Sequence, residues 1–307
     1  MDLSIIIVSW NTRDLLLQCL ESVYQESQTF PHLQIETWVV DNASTDDSVL
    51  QVKNKYPWVK LILNQDNVGF AGGNNQAIQQ STGRHVLLLN PDTVIKRDGL
   101  RSLVDFMDSH PQAGAAGSML LNPDETLQTS CYPAPTLSRE FWRLFHLDAI
   151  RPYGVYHMSN WDTNKHREVD VVQGASLILR KEALDQVGLL DDTYFMYTEE
   201  VDLCYRLQKK GWLLYWVPQS KVIHYGGQST QQVATKMFLC LYESKLIFIR
   251  KHHGWLAAQA YKLTLGLATI TRLLFSPLAL LEKPSKRQHH LRLASNYRRL
   301  LTTLARM

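Results

Sequence analysis

Cysteine is scarce in this chain. Its four residues, Cys19, Cys131, Cys204 and Cys240, lie far apart with no C-x-x-C pair. Three of them, Cys19, Cys204 and Cys240, fall inside helix-like patterns, so neither a disulfide framework nor a zinc site is expected, and a reducing compartment is. No leader is expected either: Met1-Asp2 runs straight into Leu3-Ser4-Ile5-Ile6-Ile7-Val8, with an acid where a signal peptide carries basic residues, and no export is expected. There is no G-x-G-x-x-G or Walker loop, no internal repeat and no low-complexity tract. What is present is 45% hydrophobic content over 307 residues, enough to bury one large domain with an appendage.

Charge is unevenly spread. From Lys245 onward there are twelve lysines and arginines against the single acid Glu282, a net +11; the rest, with 20 basic and 28 acidic residues, carries −8. A basic tail on an acidic body points to an anionic partner for the tail.

The first half alternates short apolar runs with helix-period segments, the signature of β-α-β units and a mostly parallel sheet. Strands are expected at Leu3–Val8, Ile35–Val40, Val59–Leu63 and His85–Leu89, with helices at Thr12–Gln25, Asp46–Tyr56 and Gly72–Gln80. Ligand-binding loops of such sheets lie at the carboxyl ends of the strands. Here those ends are polar: Ser9-Trp10-Asn11, Asp41 through Asp46, Asn64 through Asn75, and Asn90-Pro91-Asp92-Thr93. From Leu121 to about Asp170 the pattern is irregular, proline-punctuated and aromatic, as substrate-binding segments often are. Order returns at Val169–Arg180, a helix is expected from about Thr198 to Lys210, and Trp212–Val217 reads as a last strand.

Several strand-end residues suit chemistry. Asp41 either belongs to a helix-capping turn with Ser44-Thr45-Asp46-Asp47 or accepts the ring N–H of a pyrimidine base. The glycines and amides of Asn67-Val68-Gly69-Phe70-Ala71-Gly72-Gly73-Asn74-Asn75 permit close backbone approach to a ligand. Asp92 places a carboxylate at a strand tip, where a hard cation carrying a diphosphate needs one or two protein oxygens; a plain N-P-D turn is the other reading. The densest acids, Asp191-Asp192 and Glu199-Glu200-Val201-Asp202, flank Tyr194-Phe195-Met196-Tyr197. Helix-dipole complementarity explains one or two of them, and aromatic walls raise a carboxylate's pKa toward general-base work. His224, after the last strand and before Gly226-Gly227, is a candidate metal ligand or a structural histidine.

Taken in order and spacing, these segments, together with Gly174-Ala175-Ser176, resemble family 2 of the glycosyltransferases and its rhamnosyltransferase-like branch, over roughly residues 3–255. The resemblance implies an α/β, GT-A type fold: a mostly parallel central sheet flanked by helices, plus a C-terminal helical extension. It divides the chain into a catalytic domain at 1–230, with a nucleotide-sugar half (1–120) and an acceptor half (121–230), and a basic helical tail at 231–307. By the same resemblance Ser9, Asn11, Asp41, Asn67, Gly69, Asn74, Asn90 and Asp92 hold the nucleotide-sugar, and Asp92 and His224 hold magnesium or manganese. Asn90 stands where the family's metal motif has its first Asp. Gly174 and Tyr197 lie on the acceptor side. The base falls at Glu200, where the family usually has Asp, with Glu199 and Asp202 as rivals. The implied reaction is inverting transfer from a dTDP- or UDP-linked sugar, such as rhamnose, to a saccharide or lipid-linked hydroxyl. A sugar-nucleotide pyrophosphorylase-like enzyme and an inert nucleotide-sugar binding module are the competing readings.

In the tail, Lys236–Lys251 reads as a helix, and the apolar stretch Leu263–Leu281 is broken by Arg272 and Pro277. That favours a helix lying in a membrane interface over one that spans it. An anionic membrane surface is the expected partner, with the protein cytoplasmic and peripheral on the membrane's inner face; packing on the body or a homodimer contact stands as the other reading. No nucleic-acid motif is present.

Overall fold

The computed structural model describes residues 1–227, 232–277 and 283–307. Two compact units emerge: Met1–Ala134 with His157–Phe195 and Glu199–Gln232, and Pro135–Tyr156 with Met196–Thr198 and Val233–Met307.

The first unit is built on strands β1 (Leu3–Ser9), β2 (Ile35–Asp41), β3 (Lys60–Leu63), β4 (His85–Leu89), β5 (Thr93–Ile95), β6 (Ala113–Leu121), β7 (Cys131–Tyr132), β8 (Arg167–Glu168), β9 (Val171–Val172), β10 (Ser176–Arg180) and β11 (Leu213–His224). Nine of them form one sheet in the order β3-β2-β1-β4-β10-β6-β11-β5, with β8 on β11. β3, β2, β1 and β4 are mutually parallel, and β10 enters antiparallel between β4 and β6. Leu3, Ile5, Ile6 and Ile7 of β1 are wholly buried, as expected of a central parallel strand covered on both faces.

Helices α1 (Arg13–Thr29), α2 (Ser48–Lys55), α3 (Gly69–Gln80) and α4 (Gly99–Ser109) follow their strands. α1 buries Leu16, Cys19, Leu20 and Val23, spaced to form one helical stripe. At its end the buried Glu26 accepts N–H groups of Asp98 (3.0 Å) and Leu100 (3.1 Å). A side chain distant in sequence thereby satisfies the first turn of α4, whose own cap residue makes no side-chain bond.

Register brings the expected loops to one rim. Ser9 lies opposite Asp41, Asp41 opposite Leu63, and Ile6 opposite Leu88. Past β4 the chain reverses through Asn90-Pro91-Asp92 into β5, which pairs antiparallel with the end of β11 and sets Thr93 opposite His224.

The structure differs from the sequence reading in several elements. β5 and β6 were not expected as strands. The last strand does not stop at Val217 but runs to His224, with a register shift between Val217 and Lys221 around Pro218, where the imino acid cannot donate to the ladder. α3 begins at Gly69, three residues before the expected start. The cap before α2 is Asp47, within the expected capping segment, but it makes no side-chain cap bond; Asp46 accepts the N–H and hydroxyl of Ser48 at 3.2 and 2.5 Å.

After α5 (Leu137–Leu144), α6 (Lys181–Val187) and α7 (Glu199–Lys209) come α8 (Ala234–His253), α9 (Trp255–Phe275) and α10 (Pro284–Thr303). In the second unit α5, α8, α9 and α10 pack together. Glu140 of α5, 1% exposed, pairs with Lys245 of α8 at 2.7 Å and with Arg143 at 3.0 Å. Burial alone would raise the Glu140 pKa, but these two cations hold it low. Arg272, the charge inside the apolar stretch, donates to the Leu144 carbonyl at 2.5 Å and covers the Tyr297 ring. The expected continuation of that stretch to Leu281, and Gln228–Thr230 of the His224 motif, lie outside the described residues. No described helix is long and apolar enough to cross a membrane.

Candidate active site

Asn90, Asp92 and His224 meet at the turn between β4 and β5. His224 Nε2 is 3.4 Å from Asp92 Oδ1 and 3.3 Å from the Asn90 amide nitrogen, and both Asp92 and His224 are buried. Gln128, a residue the sequence reading passed over, fixes the imidazole. Its amide nitrogen donates to Asn122 Oδ1 (3.0 Å) and to the His224 carbonyl (3.1 Å). Its oxygen must therefore face His224 Nδ1, at 2.7 Å, and Nδ1 carries the ring proton. Nε2 is thereby left as an acceptor, met by the Asn90 amide N–H at 3.3 Å and beside the Asp92 carboxylate.

Ligand atoms about 2.1 Å from a shared ion sit about 3.0–3.4 Å apart, so the 3.4 Å separation fits a divalent cation. Binding the distal ring N–H to an outer-shell acceptor is the usual arrangement for a ligating histidine. Among the described residues no cluster of three or more His, Cys, Asp or Glu side chains forms: the Asn at position 90 leaves the pair as the core of the candidate centre.

The end of the rim expected to hold the nucleotide is an amide network. Asn42 donates to Asn67 Oδ1 (3.2 Å) and to the Gly69 carbonyl (3.1 Å), and Asn64 donates to Asn42 Oδ1 (2.9 Å). Asn67 Oδ1 also accepts the Gly69 N–H at 3.0 Å. Gly69 has φ +79°, and a Cβ there would lie 2.3 Å from the Phe195 carbonyl oxygen, which accepts the Phe70 N–H at 3.1 Å. Only glycine tolerates both conditions. Asp41 Oδ2 holds the Ser44 N–H at 2.9 Å, while the buried Oδ1 has no partner among the described residues and is the kind of acceptor that a base N–H would satisfy.

The acidic segment is drawn to the same rim. Asn75 of α3 exchanges two hydrogen bonds with the Leu190 backbone, at 2.7 and 3.1 Å. Tyr197 and Thr198 both have positive φ, 68° and 73°, an uncommon conformation for such side chains that recurs at functional sites. Glu200 Cβ is 3.7 Å from where a Gly174 Cβ would stand, with the Phe70 ring at 3.3 Å. The next residue, Ala175, accepts the Asn90 N–H at 3.0 Å. Gly174 thus links the Glu200 side to the Asn90–Asp92–His224 turn.

Other candidates are engaged in structure. Ser9 is fully buried against Thr12, 3.0 Å away. Asn11 accepts the Thr45 N–H at 2.8 Å, and Asn74 donates to the Phe70 carbonyl at 2.8 Å. Asp202, wholly buried, pairs with Arg206 at 2.7 Å, and the same guanidinium binds the Val187, Gly188 and Leu189 carbonyls. Glu199 is 3% exposed. Burial first, and then the charge of Glu200, push its pKa well above the usual carboxylate range.

Comparison with known proteins identifies the family. The family description "Glycosyl transferase family 2" matches residues 4–186, and the chain belongs to that family. It is 30% identical over 241 residues, 72% of this chain and 76% of the relative, to the N-acetylglucosaminyl-diphospho-decaprenol L-rhamnosyltransferase of Mycobacterium tuberculosis. It is 28% identical over 246 residues, 76% of this chain and 87% of the relative, to the rhamnosyltransferase WbbL of Escherichia coli. Among solved structures, the mannosyltransferase PcManGT of Pyrobaculum calidifontis, in complex with GDP-Man and Mn2+, superposes with a TM-score of 0.58 at 17% identity, covering 99% of this chain and 86% of that one. The fold is GT-A, and the protein is a glycosyltransferase; neither the pyrophosphorylase-like nor the inert-module reading is needed.

Proposed function

We propose that this glycosyltransferase moves a sugar, rhamnose in our reading, from a dTDP- or UDP-linked donor to a hydroxyl of a lipid-linked saccharide presented at an anionic bilayer, with inversion at the anomeric carbon. The observation that carries the reading is the buried Asp92–His224 pair at 3.4 Å, oriented by Gln128 on the rim where the Asp41 and Asn67 loops converge. The names of the relatives support rhamnose as the sugar and, for the mycobacterial one, a lipid-linked acceptor.

Asp41 and the Asn42–Asn67–Gly69 network hold the nucleoside, and Asp92 and His224 hold magnesium or manganese. When bound, that cation supplies positive charge to the departing diphosphate. Glu200 takes the proton of the acceptor hydroxyl. The oxygen then bonds to the anomeric carbon as the bond to the diphosphate breaks, and its electron pair leaves with the diphosphate. Glu199, kept protonated, avoids a second charge beside Glu200. Gly174 leaves room in front of Glu200.

A donor screen that reads released nucleoside diphosphate, with and without magnesium or manganese, tests the reading. Release from a dTDP- or UDP-sugar that needs both acceptor and cation is expected. Acceptor-dependent release in the presence of chelator would overturn the cation assignment.

A further inference from the structure

Helix α9 carries a surface that its own unit does not cover. Ala258, Tyr261, Leu265, Ala268 and Thr269 are buried against the second unit. On the opposite side Leu256, Ala260, Leu263, Leu267, Ile270 and Leu274 are exposed, the five large ones by 44% to 77%. Their spacing alternates between four and three residues, which at 3.6 residues per turn confines them to an arc of about 80° along about 27 Å of helix. No polar side chain interrupts the stripe. An apolar strip of this length on a helix surface marks an interaction site.

Charge decides between occupants. The spacing would suit a second copy of α9, as in a coiled coil. Yet this part of the sequence holds twelve basic residues and one acid, and two such faces would repel. α10 packs beside α9, with Leu304 beyond its end 3.6 Å from where a Gly266 Cβ would stand, and it exposes Arg287, Arg292, Arg298 and Arg299. Apolar side chains next to exposed cations are what a helix needs to lie in an anionic lipid interface.

We propose that the Leu256–Leu274 stripe of α9 seats in the headgroup layer of an anionic bilayer, with the arginines of α10 on the lipid phosphates. This holds independently of the transfer chemistry. The test is sedimentation of the full chain with vesicles of phosphatidylcholine alone and of phosphatidylcholine mixed with phosphatidylglycerol. Binding to the anionic vesicles that weakens with salt is expected. Replacing Arg292 and Arg298 by Gln should weaken it roughly fivefold per cation. Leu263→Glu with Leu267→Glu, both on the surface, should reduce binding to the level of neutral vesicles while affinity for the soluble donor, measured by calorimetry, stays intact. Undiminished vesicle binding by this double variant overturns the proposal. So does a native dimer that the double variant turns into a monomer with lipid binding unchanged, which would assign the stripe to a second copy. Should the variant not fold, native Trp255, 61% exposed at the start of α9, gives a separate reading. Its quenching by brominated lipid in anionic vesicles, absent in Trp255→Phe, is expected, and no difference between the two proteins overturns the proposal.

Discussion

Replacing Gln128 by Ala tests the site where sequence motifs say least. Gln128 makes three hydrogen bonds: to His224 Nδ1 (2.7 Å), to the His224 carbonyl (3.1 Å) and to Asn122 (3.0 Å). Deletion leaves the buried Nδ1–H without its acceptor, a cost of about 1–3 kcal/mol, and frees the ring to turn its lone pair away from Asp92. Loss of an outer-shell partner of this kind costs about 10–100-fold in cation affinity or activity, which is about 1.4–2.8 kcal/mol. The assay is sugar transfer over a manganese titration, with melting temperature followed in parallel. The manganese concentration for half-maximal rate should rise about 10–100-fold, and saturating manganese should recover much of the rate. Gln128→Glu keeps an acceptor on Nδ1 and should shift the titration less than Gln128→Ala. A Gln128→Ala enzyme with an unchanged manganese requirement would refute the reasoning, because His224 would not then depend on Gln128 for its orientation.

Two further outcomes follow from the geometry. Gly69→Ala forces a side chain into positive φ, about 1–2 kcal/mol unfavourable, and drives a methyl against the Phe195 carbonyl; thermal unfolding should show destabilisation beyond that figure, and a neutral result would contradict the described loop. Glu199 has a raised folded-state pKa, so its contribution to stability is present below its unfolded pKa, about 4.3, and is lost as pH rises through the folded value. Glu199→Gln should therefore melt higher than the native chain at neutral and alkaline pH, with the difference closing near pH 4. Parallel melting-temperature profiles across that range would show that Glu199 is not held protonated.

Much of the first unit was legible because β1, β2 and β4 are apolar runs ending in polar loops, and a parallel sheet brings such ends together. β6 was not legible. Its Ala113-Gly114-Ala115-Ala116-Gly117 lacks the branched residues that mark strands. A Cβ on Gly114 would lie 2.7 Å from Trp212, and one on Gly117 would meet Val172, so tertiary crowding selected small residues over strand formers. α3 was read three residues short for a related reason: its glycines disfavour helix, yet a Cβ on Gly73 would stand 3.0 Å from Val8 of β1. At the site, Asp92 and His224 stand in recognisable turns, whereas Gln128 sits in an irregular segment with no pattern to single it out. Asp202 looked like a rival base in the sequence; its pairing with Arg206 is visible only once the carbonyls of Val187, Gly188 and Leu189 are seen on the same guanidinium. Glu140, in the same irregular region, is a buried partner of Lys245 that no local signal announced.

That Glu200 is the base of the proposed reaction is tested most directly by comparing Glu200→Gln with Glu199→Gln at saturating donor, acceptor and manganese. Glu200→Gln should lose at least about a hundredfold in transfer rate, the usual span for a general base, while donor affinity measured by calorimetry stays within about twofold, well under the tenfold that 1.4 kcal/mol represents. Glu199→Gln should keep most of its activity. Full transfer by Glu200→Gln, or a loss confined to Glu199→Gln, would contradict the account.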